Sequence, residues 1–136
     1  MARSTGDVRG GDLKIRVYGF KEDEQGIMDI ENNLKAEQEF VSGRIATYPV
    51  TDDFVLIHND DGFNDGMQPR AVVLGEGEGD AIDIRGIREI IHGDCFVCRF
   101  DGVDGFCSIN DNDVGLIKHH VKRVAKVGGS VIEIEK

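Results

Sequence analysis

Three cysteines and four histidines are the residues best suited to chemistry in this 136-residue chain. The run His92-Gly93-Asp94-Cys95-Phe96-Val97-Cys98 holds a Cys-x-x-Cys pair with a histidine three residues upstream, and Cys107 follows. Four such N/S donors would suit zinc, but zinc pairs of this kind sit on knuckle turns. Here the pair interrupts a strand pattern, and on a strand positions i and i+3 point to opposite faces. Buried thiols are the expectation over a metal site or a redox pair, and no cofactor is assigned. With no secretion signal and an odd number of cysteines, the thiols are expected to be reduced.

Other motifs fail on their chemistry. Asn59-Asp60-Asp61-Gly62 and Asp111-Asn112-Asp113 have calcium-loop flavour, but counting from Asp111 the twelfth position, where a glutamate must bind, is Lys122. Turns and helix caps are the expected roles. Gly75-x-Gly77-x-Gly79 is interleaved with Glu76 and Glu78, whereas a phosphate cradle needs backbone N–H groups in positive potential. Neither His58, His92, His119 nor His120 lies in a nucleophile motif. A spatial grouping of His58, His92 and Cys107 stays open, and no enzymatic activity is expected.

Charge is more informative. The formal net charge is −10, and residues 20–116 hold seven basic and 22 acidic side chains. Such a field repels nucleic acid and attracts basic protein surfaces. An acidic binding face is expected from Asp52, Asp53, Asp60, Asp61, Asp65, Glu76, Glu78 and Asp80. A second reading gathers Arg70, Arg85, Arg88, Arg99, Lys118, Lys122 and Arg123 around an anionic small molecule. No apolar run approaches the roughly 20 residues of a membrane span, and a cytoplasmic protein is expected.

The elements that must position these groups read as α+β: one domain, residues 13–136, behind a loose arm at 1–12, with a mostly antiparallel sheet and two helices on it. Leu13, Ile15 and Val17 alternate with polar residues as a half-buried strand does, and Ile27 to Ile30 reads as its hairpin partner. Asn32-Asn33 caps a helix from Leu34 to Ser42, with Gly43 as its left-handed end. Arg44 to Val50 is a strand that Pro49 places at an edge. Phe54-Val55-Leu56-Ile57 reads as a strand buried on both faces, and Ala71 to Leu74 as another. Residues 74–88 read as a variable acidic loop, with Ala81 to His92 ambiguous between helix and strand. The Asp-Gly pairs around Val103 predict a hairpin. Asn110 or Asp111 caps a helix through Val114, Ile117, Val121 and Val124, an Asn110 cap placing Asp113 at N3 as in a capping box, and Gly128-Gly129 ends it. Residues 130–135 read as an added edge strand.

The runs Ile30-Glu31-Asn32-Asn33-Leu34, Phe40-Val41-Ser42-Gly43-Arg44-Ile45, Phe54 through Gly62, Gln68-Pro69-Arg70-Ala71, Ile91 through Val97 and Ser108 through Val114 together resemble a family of small uncharacterised domains. That family is encoded by bacteriophages, plasmids and other mobile elements, largely of Gram-positive bacteria. The resemblance covers about residues 13–126. Cys95 and Cys98 depart from it by standing where the family has plain apolar residues. Leu74 to Arg88 and the strand after Gly128 look like additions. The resemblance implies a bacterial host cell and supplies no reaction. The expected function is that of a non-enzymatic accessory protein, a counter-defence or host-modulating inhibitor whose acidic face meets a basic host or defence protein. The alternative is an oligomeric binder that sequesters a nucleotide defence signal.

Overall fold

Ile15 and Val17 are buried and alternate with exposed Lys14 and Arg16 in strand β1 (Lys14–Lys21). It forms a hairpin with β2 (Glu24–Glu31), in register from Lys14↔Glu31 to Lys21↔Glu24. The connection expected over Gly19 to Gly26 is therefore only the Glu22-Asp23 turn. The computed structural model describes residues 14–76, 82–103, 105–128 and 131–135. The arm at 1–12, Glu78 and Asp80 lie outside them.

Helix α1 (Leu34–Val41) starts where Asn33 Oδ1 accepts the Ala36 N–H at 2.8 Å. Its left-handed end is Ser42, at φ 64°, and not Gly43 as expected. Gly43 is needed for a different reason. A Cβ there would lie 2.6 Å from Asn59 Nδ2. That amide donates to the carbonyls of Val41 and Ser42 at 3.0 and 3.2 Å, satisfying the last turn of the helix.

Strand β3 (Ile45–Pro49) pairs with β4 (Phe54–Asn59), whose Phe54 to Ile57 are buried on both faces as expected. Strands β5 (Pro69–Glu76) and β6 (Ile82–His92) pair next, so most of the expected 74–88 loop is strand. Strand β7 (Cys95–Asp101) turns into β8 (Gly105–Cys107) through the expected hairpin, with Asp101 Oδ1 accepting the Val103 N–H at 2.6 Å. Helix α2 (Asp113–His120), β9 (Val121–Gly128) and β10 (Val131–Ile134) follow.

Among the described residues all pairings are antiparallel, and they build two sheets rather than one. The first runs β2-β1-β7-β4-β3 with β8 beside β7, which leaves Pro49 on an edge. The second runs β10-β9-β5-β6, with β10 at an edge. One apolar cluster joins both sheets and α2 through Tyr18, Phe20, Leu56, Val73, Val97, Ile117 and Val121. The opposite face of the first sheet carries Ile15, Val17, Val55, Ile57, Phe96 and Cys98 together with Val41 of α1.

The second helix is shorter than its periodicity suggests: it ends at His120, and Val121 begins β9 with no loop between. Val114, Ile117, Val121 and Val124 fit helical spacing, yet the last two are in strand. The cause is tertiary. Ala71 to Leu74 of β5 are fully buried, so β5 needs partners along both sides, and β9 supplies the second through Ala71↔Arg123 to Val73↔Val121.

Glu37 sits on the buried face of α1 at 5% exposure, and burial raises its carboxyl above the ordinary range. A raised carboxyl resists ionisation in the folded state. Its stability contribution is complete below the unfolded-state pKa and is lost as pH rises through the folded one. Glu37→Gln should therefore raise Tm at neutral pH and leave it unchanged in acid below the ordinary glutamate range. Thermal unfolding at the two pH values checks this.

Candidate functional site

Strand alternation sends Cys95 into the cluster between the sheets and Cys98 to the opposite face, both fully buried. Burial pushes both thiols far up, with Asp94 adding to it for Cys95 and Glu37 for Cys98. Such thiols are poor nucleophiles. Cys107 Sγ donates to the Gly105 carbonyl at 3.4 Å. Among the described residues, no three His, Cys, Asp or Glu side chains are placed to hold a metal. His58 lies at the C-terminal end of β4, while Cys107 pairs with Arg99, which faces Phe54 at the N-terminal end. The open grouping of His58, His92 and Cys107 is thus not assembled. His92 Nδ1 lies 3.0 Å from the Met67 carbonyl, and its ring stands edge-on to Phe63.

The acidic set is not gathered on one face. Asp52 and Asp53 occupy the turn before β4, and Asp60, Asp61 and Asp65 follow its far end. Six strand residues put roughly 20 Å between the two groups. Arg44 bridges Asp60 at 3.0 Å and Asp61 at 3.5 Å, partly neutralising them. Glu76 closes β5.

Most of the candidate cations cross-link the fold. Arg70 Nε pairs with Asp94 at 3.1 Å. Arg88 donates to the carbonyls of Pro49 and Val50 and lies over the Tyr48 ring. Arg85 is within β6. Arg99 grips Asp113 with two bonds of 2.7 and 2.8 Å and stacks on Phe54. Asp113 makes the expected reciprocal pair, accepting from the Asn110 N–H at 2.9 Å while Asn110 Oδ1 accepts the Asp113 N–H at 3.2 Å. But the pair closes the turn before the helix: Asn112, and not Asn110 or Asp111 as expected, is the N-cap of α2, and its side chain makes no cap bond. The Arg99 bonds hold the Asp113 carboxyl below its ordinary value. Lys118, Lys122 and Arg123 are brought together, lining one cleft with Tyr18 and Gln25.

A groove unforeseen from the charge pattern lies on the α1 face of the first sheet. Helix α1 spans eight residues, about 12 Å, and touches β2, β3 and β4, leaving one end of that face open. There Thr47, Pro49, Val55, Phe100 and Phe106 line a cavity of about 440 Å³, with Thr51, Asp52 and Phe54 at its margin. Phe100 is 48% exposed, and Val103 at the neighbouring hairpin tip is 90% exposed. The Phe100 and Phe106 rings are 6.1 Å apart. Asp53 is held beside the groove by its carbonyl, which accepts the Phe100 N–H at 2.9 Å. The sequence did carry a signal for this: a hairpin through Asp101 and Gly105 makes Phe100 and Phe106 cross-strand neighbours. The groove thus has an apolar floor, the exposed Phe100 ring on it and the Asp52 carboxylate at its edge.

No helix among the described residues is long and apolar enough to cross a membrane. Neither the curated proteins nor the solved structures contain a match to this chain. Residues 15–122 match the family model of a domain of unknown function, DUF3846, and the chain belongs to that family.

Proposed function

We propose that the protein is a non-catalytic docking module that receives a basic, apolar-anchored segment of a partner protein in the groove between Thr47 and Phe106. The observation that carries this is the exposed Phe100, seated over an apolar floor with Asp52 at the margin. In interfaces of this kind a buried aromatic anchor supplies the affinity, and complementary charge at the rim supplies rate and partner choice. The body charge supports a basic partner. The family likeness supports the setting of a phage or mobile element in a bacterial host, where such docking would inhibit or redirect a host or defence protein. The docking contribution of the acidic residues is thereby narrowed to Asp52.

Selection of random peptides on the wild-type protein, with counter-selection on Phe100→Glu, tests the reading. The enriched peptides should carry a large apolar residue flanked by Lys or Arg. Their affinity should fall with added salt and drop about tenfold or more on Phe100→Glu, the loss of one aromatic anchor. Because Phe100 is half exposed, the variant should melt near the wild type. Peptides that bind both proteins equally, or that lack basic residues, would overturn it.

A further inference from the structure

Lys118 in the last turn of α2 and Lys122 and Arg123 at the start of β9 meet at the seam between the two sheets. With Tyr18 of β1, Gln25 of β2 and Glu135 they line a cleft of about 360 Å³. Arg123 is fixed there, because its guanidinium donates to the carbonyls of Glu22 and Glu24 in the β1–β2 turn. Its charge is not cancelled by those neutral oxygens. Lys118 and Lys122 make no ion pair among the described residues, in a chain with 26 carboxylates. The Tyr18 hydroxyl accepts from Gln25 Nε2 at 3.0 Å, so its own proton is left for another acceptor.

From this cleft we infer a binding site for a phosphate monoester of a small polar molecule, such as a sugar phosphate or nucleoside monophosphate. Two lysines are point charges suited to a phosphate dianion, with Arg123 adding a fixed third charge and Tyr18 a donor. Glu135, on the same wall, accepts from a hydroxyl or amine on the ligand's organic part. The volume lies near the lower end of small-molecule pockets, which run from about 300 to about 1,000 Å³. The ligand is therefore of single-nucleotide size. The field selects for size as well. Screening confines a small anion's interactions to charges within about 10 Å, and the charges it meets first are Lys118, Lys122 and Arg123 on the cleft wall, ahead of the Glu22-Asp23-Glu24 turn that Arg123 holds. A long polyanion would instead meet the acidic body.

Calorimetric titration and thermal unfolding of the full chain test this with inorganic phosphate, ribose 5-phosphate, adenosine monophosphate, uncharged adenosine and a single-stranded oligonucleotide. Both monoesters should raise Tm, since a ligand that binds only the native state stabilises it, and their affinity should fall as salt is added. The Lys118→Gln/Lys122→Gln double variant should lose at least about tenfold in affinity, since a charge-assisted hydrogen bond is lost at each position. Lys35→Gln, an exposed control on α1, should not. Glu135→Gln should weaken the esters and spare inorganic phosphate. Failure of either monoester to bind, or unchanged binding by the double variant, would overturn the site. Inorganic phosphate binding as tightly as the esters would remove the ester assignment. An oligonucleotide that binds more tightly than either would make this a nucleic-acid contact instead.

Discussion

Phe96→Ala should destabilise the protein by about 3–5 kcal/mol, the largest effect expected of a single substitution here. Phe96 is fully buried at the centre of the first sheet, between Gly19 of β1 and Ile57 of β4. Its ring meets Phe40 of α1 edge-on at 5.0 Å. The truncation leaves a cavity that cannot close easily, because β7 is held by paired strands on both sides and α1 is fixed by the Asn33 and Asn59 bonds at its two ends. Poor relaxation puts such sites at the upper end of the range. Urea unfolding should show a lower midpoint with an unchanged slope, the mark of a stability loss without a change in the surface exposed. Phe96→Leu should cost clearly less. Equal costs would mean that the ring's contact with Phe40 contributes little.

Asp113→Asn should cost about 2–3 kcal/mol at neutral pH. Asp113 is 5% exposed and is held by two Arg99 bonds and the Asn110 N–H. Breaking a fully buried pair costs more than this, but the Arg99 side chain is 38% exposed, and water screens part of the loss. The pair ties α2 to β7, so the substitution loosens the helix that leads into β9. The pH dependence has a definite sign. A carboxyl whose folded pKa is lowered contributes stability above its unfolded-state pKa and loses it as pH falls through the folded one. The gap between wild type and Asp113→Asn should thus be full at neutral pH and close in strong acid. Chemical unfolding across that range reads it directly. A gap independent of pH would assign the cost to lost packing.

Much of the local structure was legible because it depends on residues near in sequence. Asn33 before Leu34, the Asp-Gly pairs around Val103 and the reciprocal Asn110–Asp113 spacing each specify a cap or turn by themselves. The two-sided burial of Phe54 to Ile57 follows from an unbroken apolar run. The opposite facing of Cys95 and Cys98 follows from the two-residue period of a strand.

The tertiary structure decided what depends on distant partners. Val121 and Val124 fit a helix until β5 is seen to need a strand along its open side. Residues 82–88 become strand because β5 lies beside them. The carboxylates that charge counting grouped together are parted by the length of β4, since net charge carries no direction. Arg70, Arg88 and Arg99 are taken up by Asp94, by two backbone carbonyls and by Asp113, while Lys118, Lys122 and Arg123 converge with Tyr18 and Gln25 from the far end of the chain. Patterns of period two and period four fix which way a side chain points from its own element. What it meets there is set by how the two sheets pair and pack, and no stretch of this sequence carries that alone.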